Sequence, residues 1–451
     1  MDKIQELTKK KSAVKNAGKT VRGLIDGLVD AGSFVELSAL SFSKSALYDE
    51  SALGEGVVTG FAAIGGSPFY IVAQNPEIFS GGLTKANCEK IAKTLNLAEK
   101  NSTPVVYLLH SKGVRIGEGV TVLEGISELL LKATQLKGTV PQYAYLMGEV
   151  YGSAAALAGI CDFVFFEKRS VLSITSPLVL SAKANQNLKN EEVGGYAALT
   201  NTQLPAIEVS GISQAAAYIT KITELLSVAV IDAELNQASP KLNQNAGAEA
   251  IVSVLENPVE LGANSSPEIK TILCRVGGIA IAAAVFNGVR LNANNIRKLK
   301  SFVELACCYG LPFVTFVDCL GVEAELKVNN SPVFKEIAEY LNILDATDTA
   351  KVAIVTGNAI GLGYSLFAAK SVGFDYNYAL ATAKVALFES AAGAQIELAE
   401  DKSTEKEKLI KLYSEENSDP VNAARNGYLD DVVEPQFLKQ YLIAALQTLI
   451  A

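Results

Sequence analysis

The clearest switch from apolar to polar positions falls at residues 104–119, PVVYLLHSKGVRIGEG. Val105 to Leu109 form a continuous apolar run, which predicts a buried strand. Ser111 ends that run, Gly113 turns the chain, and the pattern from Val120 to Leu136 predicts a helix. A strand that passes through a glycine turn into a helix presents main-chain N–H groups that can bind negative charge. An ordinary βα turn without a ligand has the same pattern and is the alternative at this point.

The same pattern occurs a second time at residues 311–322, LPFVTFVDCLGV. Matching residues are 208 positions apart up to this second strand and 209 apart beyond it: Leu83 and Leu291, Pro104 and Pro312, Gly113 and Gly321, Gly148 and Gly357, Gly152 and Gly361. Matches in the same order at a nearly constant offset predict two copies of one domain.

Strand and helix patterns alternate along both copies, which is typical of the α/β class. Residues 1–30 predict one helix, and a hairpin follows around the turn IGGSP at 64–68. Residues 213–230 predict a helix that closes the first copy. The Asn-, Pro-, Gly- and Ser-rich stretch 236–267 predicts a linker. We therefore expect an N-terminal domain at 1–240 and a C-terminal domain at 241–451.

Composition agrees with this division of the chain. Of the 451 residues, 49% are hydrophobic and 19% are charged, which is enough apolar matter for two or three domains and for subunit interfaces. The net charge of −9 argues against a nucleic-acid partner or an anionic membrane surface. No unbroken apolar run of membrane-spanning length occurs, and the N-terminus has no secretory pattern. The six cysteines form no CxxC pair and are expected to be buried thiols of a cytoplasmic protein.

Five segments carry a resemblance to a known family: Leu53–Gln74, Arg115–Gly119, Val140–Gly148, Leu311–Asp318 and Asp419–Pro435. From about residue 54 onward, the chain resembles the carboxyltransferase subunit of biotin-dependent acyl-CoA carboxylases and decarboxylases, of the propionyl-CoA carboxylase beta type. The last segment, DPVNAARNGYLDDVVEP, is the most similar to a family signature.

The resemblance implies a fold of two tandem crotonase-like (ClpP/crotonase) domains built from repeated ββα units. It implies carboxyl transfer between carboxybiotin on a carrier protein and an acyl-CoA. The acyl-CoA passes through an enolate that backbone oxyanion holes stabilise. This chemistry needs no side-chain nucleophile and no metal. A chain with no Ser/His/Asp arrangement and a single histidine, His110, is therefore compatible with it.

The resemblance also assigns the site residues. The first copy is implied to hold acyl-CoA and the second to hold biotin. The catalytic positions carried over are Lys112, Gly113, Gly152 and Ser153. The acyl-CoA-binding positions are Ser111, Val114, Arg115 and Gly148, and the biotin-binding positions are Gly321, Gly361, Leu362 and Gly363.

The chain departs from the family at three glycine motifs. The family has Asp-Ser-Gly-Gly-Ala-Arg at 110–115, Asp-Val-Pro-Gly-Phe at 318–322 and Gly-Gly-Ala-Tyr at 361–364. A lysine or leucine forced into the backbone of a left-handed glycine is strained by about 1–3 kcal/mol or reshapes the hole. Lys112 either places an ammonium beside a thioester or carboxylate, or is a solvated turn lysine. His110 either titrates at the site or is a hydrogen-bonded strand-end histidine. Arg115 either meets a CoA phosphate or pairs with Glu118.

The implied partners follow from what the chain lacks. It contains no Met-Lys-Met biotinylation signature and no ATP-grasp region, so biotin is expected on a separate biotin carboxyl carrier protein. A biotin carboxylase or a decarboxylase membrane subunit completes such a complex. Family sites are shared between subunits, which implies a homo-oligomer, either a dimer or a hexamer. Three functions stay open: carboxylation, decarboxylation of a dicarboxylic acyl-CoA, or a non-catalytic assembly role.

Overall fold

The computed structural model describes residues 2–41, 50–227, 242, 247–397 and 405–450. It divides into two compact units, Met1–Thr223 and Glu224–Ala451. The expected domain boundary between residues 240 and 241 lies outside the described residues.

The first unit is an α/β domain. Its strands are β1 (Val35–Leu37), β2 (Val57–Ile64), β3 (Ser67–Gln74), β4 (Val105–Ser111), β5 (Gln142–Tyr151), β6 (Phe163–Glu167), β7 (Val171–Ser173) and β8 (Ala206–Val209). Its helices are α1 (Lys3–Asn16), α2 (Lys19–Leu28), α3 (Lys85–Lys100), α4 (Thr121–Leu136), α5 (Ser153–Ile160), α6 (Pro177–Ala184), α7 (Asn190–Gly194) and α8 (Ile212–Leu226), the last of which crosses the division between the units.

Within the described residues, these strands form one sheet in the order β1-β2-β3-β4-β5-β6-β8, and β7 also pairs with β5. The β1–β2–β3 edge is antiparallel and the other pairs are parallel. Apolar side chains on the central strands, Tyr107 and Phe166 among them, are fully buried. The Tyr107 hydroxyl is satisfied because it donates to Gln142 Oε1 at 2.9 Å.

The second unit repeats this architecture. Its strands are β9 (Glu256–Leu261), β10 (Ile269–Val276), β11 (Ile279–Phe286), β12 (Val289–Leu291), β13 (Phe313–Val322), β14 (Lys351–Ile360), β15 (Tyr376–Leu380), β16 (Lys384–Ala386) and β17 (Asp431–Val433). Its helices are α9 (Ala248–Val252), α10 (Ala293–Cys308), α11 (Leu326–Asn329), α12 (Val333–Ala346), α13 (Leu362–Phe367), α14 (Ser390–Glu397), α15 (Lys406–Asn417), α16 (Pro420–Arg425) and α17 (Leu438–Ile450). In the described part of this unit, the sheet order is β17-β15-β14-β13-β11-β10-β9.

The register of the strands confirms the predicted repeat. In the first unit, the β4–β5 pairing begins at Val105 opposite Gln142 and ends at Ser111 opposite Val150. In the second, the β13–β14 pairing begins at Phe313 opposite Lys351, and its last pair is Cys319 opposite Ala359. These residues differ by the offsets of 208 and 209 found in the sequence. The two strand ends that carry Gly113 and Gly321 are therefore equivalent.

Two boundaries differ from the sequence predictions, and a third prediction lies partly outside the described residues. The single helix expected over residues 1–30 is two helices, because the chain breaks at Gly18 between α1 and α2. The expected linker 236–267 contains helix α9 and strand β9. The Asn and Pro content of residues 236–267 predicted a linker, but β9 forms because it pairs with β10. Such pairing between strands cannot be predicted from local composition. Residues 228–230 of the predicted helix 213–230 lie outside the described part.

A buried lysine occupies the same place in each unit. Lys90 Nζ donates to the carbonyls of Gly54 at 3.0 Å and Val57 at 2.6 Å. Lys298 Nζ donates to those of Ser265 at 2.6 Å and Ile269 at 2.7 Å. Burial lowers the pKa of each lysine to about 8. Each ammonium therefore links the helix that follows the hairpin, α3 or α10, to the chain at the start of that hairpin, β2 or β10.

We predict that Lys298→Met destabilises the second unit. Lys298 is 5% exposed, and its loss leaves main-chain carbonyls without this donor in a buried place. The expected loss is about 1–3 kcal/mol of unfolding free energy, which calorimetry would record as a lower melting temperature.

The matched control is Lys335→Met, whose side chain is 78% exposed. It should leave the melting temperature almost unchanged. Equal melting temperatures for the two variants would contradict the structural role of Lys298.

Candidate functional site

Two glycine-bearing segments of the first unit meet where β4 and β5 end. The turn after β4 contains Lys112 and Gly113, and Gly113 has φ +118°. β5 leads into Gly152, which has φ +63° and ψ −128° and precedes the first turn of α5 at Ser153. Because Ser111 lies opposite Val150, the register brings these predicted residues to one edge of the sheet.

The second unit has the same arrangement at its own sheet edge. Cys319 lies opposite Ala359, and the strand then passes Gly321, with φ +87°. Gly361 has φ +52° and ψ −120° and precedes helix α13. A Cβ at Gly363 would lie only 2.9 Å from Cys319 Sγ, so this glycine lets the helix pack directly against the end of β13.

Several main-chain donors of the first edge are already bonded within the chain. The Lys112 N–H donates to the Ser80 carbonyl at 3.1 Å, and the Gly113 N–H donates to Ser111 Oγ at 3.3 Å. The Gly152 N–H donates to the Ser173 carbonyl at 3.1 Å. The first turn of any α-helix has N–H groups without intrahelical partners. Those that begin at Ser153 are therefore the main-chain donors best placed to meet a ligand here.

The second edge opens into a cavity of about 640 Å³. Its Gly361 N–H donates to the Ala386 carbonyl at 2.9 Å, so the donors of the α13 start begin at Leu362. Leu362, Leu387 and Phe388 give the cavity exposed apolar lining. This volume lies within the range typical of small-molecule sites.

One wall of this cavity comes from residues 416–428, most of which belong to the C-terminal signature segment. Its lining residues from 416 to 428 are Glu416, Asn417, Asp419, Asn422, Ala423, Asn426 and Tyr428. The Tyr364 hydroxyl donates to the Tyr428 carbonyl at 2.7 Å and joins this wall to α13. The sequence identified the signature segment as a family feature but gave it no part in the site, because only the fold brings it beside Gly361.

A charged cluster of the first edge was also missed from the sequence. Lys112 Nζ lies 2.7 Å from Glu149 Oε2, and the Tyr151 hydroxyl donates to Glu149 Oε1 at 2.8 Å. Burial acts to raise the pKa of Glu149, but the hydrogen bonds from Lys112 and Tyr151 outweigh it, so the net pKa is lowered. Burial, together with Glu149, raises the pKa of Tyr151. The 209-residue offset could have shown that Glu149 and Tyr151 stand at a site edge.

His110 is the next-to-last residue of β4 and lies beside this cluster. Its ring packs against Gly148, where an added Cβ would lie 2.6 Å from His110 Nδ1. Burial lowers the pKa of His110; Lys112 acts in the same direction and Glu149 against it. The equivalent residue in the second unit is Asp318, which accepts hydrogen bonds from the Gly288 and Asn358 main-chain N–H groups at 3.0 and 2.8 Å.

The remaining predicted residues differ in accessibility. Val114 is exposed and bridges to Leu83 in parallel register. Arg115 is only 8% exposed, with its guanidinium 3.9 Å from the centre of the Phe79 ring and 4.0 Å from Glu55. Burial of this kind does not favour contact with a CoA phosphate.

The described residues contain no group of three His, Cys, Asp or Glu side chains placed to hold a metal ion. None of the described helices is both long enough and apolar enough to cross a membrane. The six cysteines, all free, are buried or partly buried.

Comparison with known proteins identifies the family. The model of the carboxyl transferase domain matches residues 13–236 and 273–451. The chain is similar to the propionyl-CoA carboxylase beta chain of Cereibacter sphaeroides, at 27% identity over 96% of this chain and 91% of that protein. It is similar to the methylmalonyl-CoA decarboxylase subunit alpha of Propionigenium modestum, at 28% identity over 99% of this chain and 96% of that protein.

Among solved structures, the chain is similar to the transcarboxylase 12S hexamer with methylmalonyl-coenzyme A bound. The TM-score is 0.88 at 21% identity, over 99% of this chain and 95% of that chain. This likeness confirms the predicted fold of two tandem crotonase-like domains. The chain belongs to the carboxyl transferase family. The predicted enzyme class, an acyl-CoA carboxyltransferase that depends on biotin, is confirmed with it.

We predict that His110 makes stability depend on pH between about 7 and 5. Its folded pKa lies below the unfolded value of about 6.5, so the unfolded chain binds the proton more readily. Stability is therefore intact above pH 6.5 and falls as the pH drops through that value. His110 is the only histidine, so His110→Asn should flatten this part of the profile.

Calorimetric melting temperatures at pH 7.5 and 5.5 measure the effect, and His110→Gln serves as a second variant of different shape. If all three proteins lose the same number of degrees on acidification, His110 does not carry the pH dependence.

Proposed function

We propose that the chain transfers a carboxyl group between biotin on a carrier protein and the α-carbon of an acyl-CoA, with one reactant at each sheet edge. The observation that carries this is the recurrence of one backbone arrangement, a strand pair that ends in a glycine-started helix, once in each unit. In the carboxylating direction, the carboxyl group leaves N1′ of biotin and the α-proton of the acyl-CoA ends on N1′. Both reactants develop an oxyanion during this exchange.

The second unit is proposed to hold biotin. Its cavity combines Leu362, whose N–H lies at the start of α13, with the apolar Leu387 and Phe388. A ureido oxygen needs donors and a fused ring system needs apolar walls, so the residues present fit the group. When bound, biotin supplies the carboxyl-carrying ureido ring. The chain's own contribution is to orient that ring and to place donors at its oxygen.

The first unit is proposed to hold the acyl-CoA. Its thioester oxygen would meet the α5 start at Ser153, beside the turn of Ser111, Lys112 and Gly113. The loss of one oxyanion donor typically costs about 2.7–4 kcal/mol of barrier. Val114 and Gly148 lie at the same edge, whereas the burial of Arg115 favours a structural role for it.

The partner of this chain is proposed to be a biotin carboxyl carrier protein, with a biotin carboxylase or a decarboxylase membrane subunit in the same complex. We propose that the chain itself forms a dimer or a hexamer. Large aliphatic side chains lie exposed at the start of α4 and near α11, including Ile116 at 90%, Val120 at 80% and Leu326 at 76%. Such side chains favour burial against another subunit.

Decarboxylation is the second candidate. The observation in its favour is the similarity to a methylmalonyl-CoA decarboxylase subunit alpha, which is as high as that to the carboxylase chain. The same two sites serve both directions. A non-catalytic assembly role was the third alternative, because Lys112 and Leu362 stand where the family has glycine, but the carboxyl transferase match favours catalysis over it.

The oligomer prediction is tested by sedimentation. At micromolar concentration, the pure chain should sediment as a dimer or a hexamer. A monomer under these conditions would exclude a site shared between subunits.

We predict opposite ligand losses for two glycine variants. A valine at Gly152 should weaken acyl-CoA binding and spare biotin, and a valine at Gly361 should do the reverse, as measured by calorimetry on the separate ligands. Each β-branched side chain obstructs one helix start and strains a positive φ by about 1–3 kcal/mol.

The control is Gly310→Val, at φ +63° with no atom within 4 Å of the added Cβ. It also adds a β-branched side chain at a positive φ, but it lies outside the two glycine turns. If each variant weakens both ligands equally, the assignment of one ligand to each unit is wrong.

We predict that the pure protein exchanges a carboxyl group between biotin and an acyl-CoA. The experiment incubates it with carboxybiotin or free biotin and a panel of acyl-CoAs and dicarboxylic acyl-CoAs, and measures products by mass. Net carboxylation or decarboxylation identifies the direction. Normal CoA binding without any turnover would instead favour the assembly role, and glycine would then be restored at Lys112 and Leu362 to test for recovery.

A further inference from the structure

Three side chains at the edge of the first unit form a charged bridge between β4 and β5. Lys112 follows the end of β4, and its Nζ is 2.7 Å from Glu149 Oε2. Tyr151 donates to the second oxygen of the same carboxylate at 2.8 Å. Glu149 and Tyr151 lie on β5, directly before the Gly152 turn. The bridge therefore spans the two segments that define this edge.

The fold does not require this bridge. The equivalent residues in the second unit are Leu320, Asn358 and Ile360, at the same offsets of 208 and 209. They complete the same strand pairing and the same glycine-started helix without an ion pair, and Asn358 instead donates to the Asp318 carboxylate. The second unit thus serves as an internal control: it forms the same fold without the Lys112–Glu149 ion pair. We therefore look for a functional explanation of that ion pair in the first unit.

At the edge that carries this bridge, two main-chain N–H groups already have hydrogen-bond acceptors within the chain. The N–H groups of Lys112 and Gly113 donate to the Ser80 carbonyl and to Ser111 Oγ. An ammonium has three N–H donors, and Glu149 accepts one of them. The Lys112 side chain is 53% exposed, which leaves its other donors open to a ligand at this edge.

We infer that Lys112 binds an anionic oxygen on the acyl group of the CoA substrate, and that Glu149 and Tyr151 are positioning residues that hold its ammonium. The inference rests on the proposed function and names a charged donor in place of the main-chain donors of the turn. The Glu149 carboxylate fixes the position of the Lys112 ammonium. A hydrogen bond from this ammonium to an anionic oxygen is charge-assisted and therefore stronger than one from a neutral donor.

Glu149 does not itself have the character of a base. Its two oxygens already accept from Lys112 and Tyr151, and these hydrogen bonds keep its pKa below the ordinary value despite burial. His110, half-buried on the other side, has its pKa lowered by burial and stays neutral at pH 7. The cluster therefore offers one cation to a ligand, the Lys112 ammonium.

Two oxygens of the acyl group have this chemistry, and binding experiments separate them. One belongs to the carboxylate of a carboxylated acyl-CoA. The other is the thioester oxygen, which gains charge only during transfer. The proteins compared are the unaltered full chain, Lys112→Met and Lys112→Arg. For each, calorimetry measures the binding of CoA, propionyl-CoA and methylmalonyl-CoA, and a separate assay measures the rate of carboxyl transfer. The two sets of measurements distinguish the carboxylate from the thioester oxygen.

If the oxygen is the carboxylate, Lys112→Met should bind methylmalonyl-CoA about 10- to 100-fold more weakly and keep its affinity for the other two ligands. If it is the thioester oxygen, all three ligands bind as before and the transfer rate falls by about the same factor. Lys112→Arg should retain most of either property. The control Lys137→Met, an exposed lysine at the end of α4, should match the unaltered protein.

Two outcomes would overturn the inference while leaving the proposed function intact. One is a Lys112→Met protein that differs less than about threefold in every binding constant and in rate, a difference too small for a lost charge-assisted hydrogen bond. The other is an equal loss of all three ligands, including CoA, which would show a structural role. An unaltered protein that binds none of the three would instead remove the proposed acyl-CoA function, and the inference with it.

The positioning role has its own readout. Glu149→Gln keeps the side-chain shape but releases the Lys112 ammonium, so it should affect the same ligand or rate as Lys112→Met, by a smaller factor. The double variant should be no worse than Lys112→Met, because Glu149 acts through Lys112. Losses that multiply in the double variant would contradict this dependence.

Discussion

The parallel pairing of two neighbouring strands is the constraint on which both candidate sites depend. In the first unit, the pairing of Ser111 with Val150 fixes the glycine turn after β4 beside the glycine that starts α5. The pairing of Cys319 with Ala359 does the same in the second unit. A slip of one residue would turn every side chain of a strand to the opposite face, so the buried core holds this register firmly.

A site built mainly from backbone allows its side chains to diverge. The two units keep the same strand ends and the same positive φ before the short helix. Beyond these they differ: the first edge carries Lys112 and Glu149, whereas the second has an apolar and polar cavity beside Leu362. One inherited backbone thus provides two chemically different edges, which is what a reaction between two unlike partners requires.

The interior of each unit shows the opposite tendency. Lys90 and Lys298 keep the same buried position and the same kind of carbonyl partners. A buried ammonium with fewer acceptors would be costly, so the surrounding carbonyls and the lysine are retained together. The pair is visible in the sequence as two lysines at the repeat offset. Their burial is not visible there, because the polar character of lysine favours a surface position.

The sequence alone determined the α/β class, the repeat and the glycines of both edges, because apolar periodicity and glycine turns are local properties that leave a readable pattern. The family followed from the resemblance of five segments to known carboxyltransferases. It missed strand β9, the Lys112–Glu149–Tyr151 bridge and the wall that residues 416–428 add to the second cavity. These depend on contacts between residues far apart in the chain. Only the tertiary structure decided which main-chain donors are already in use, since the partner of an N–H group is set by the packing around it.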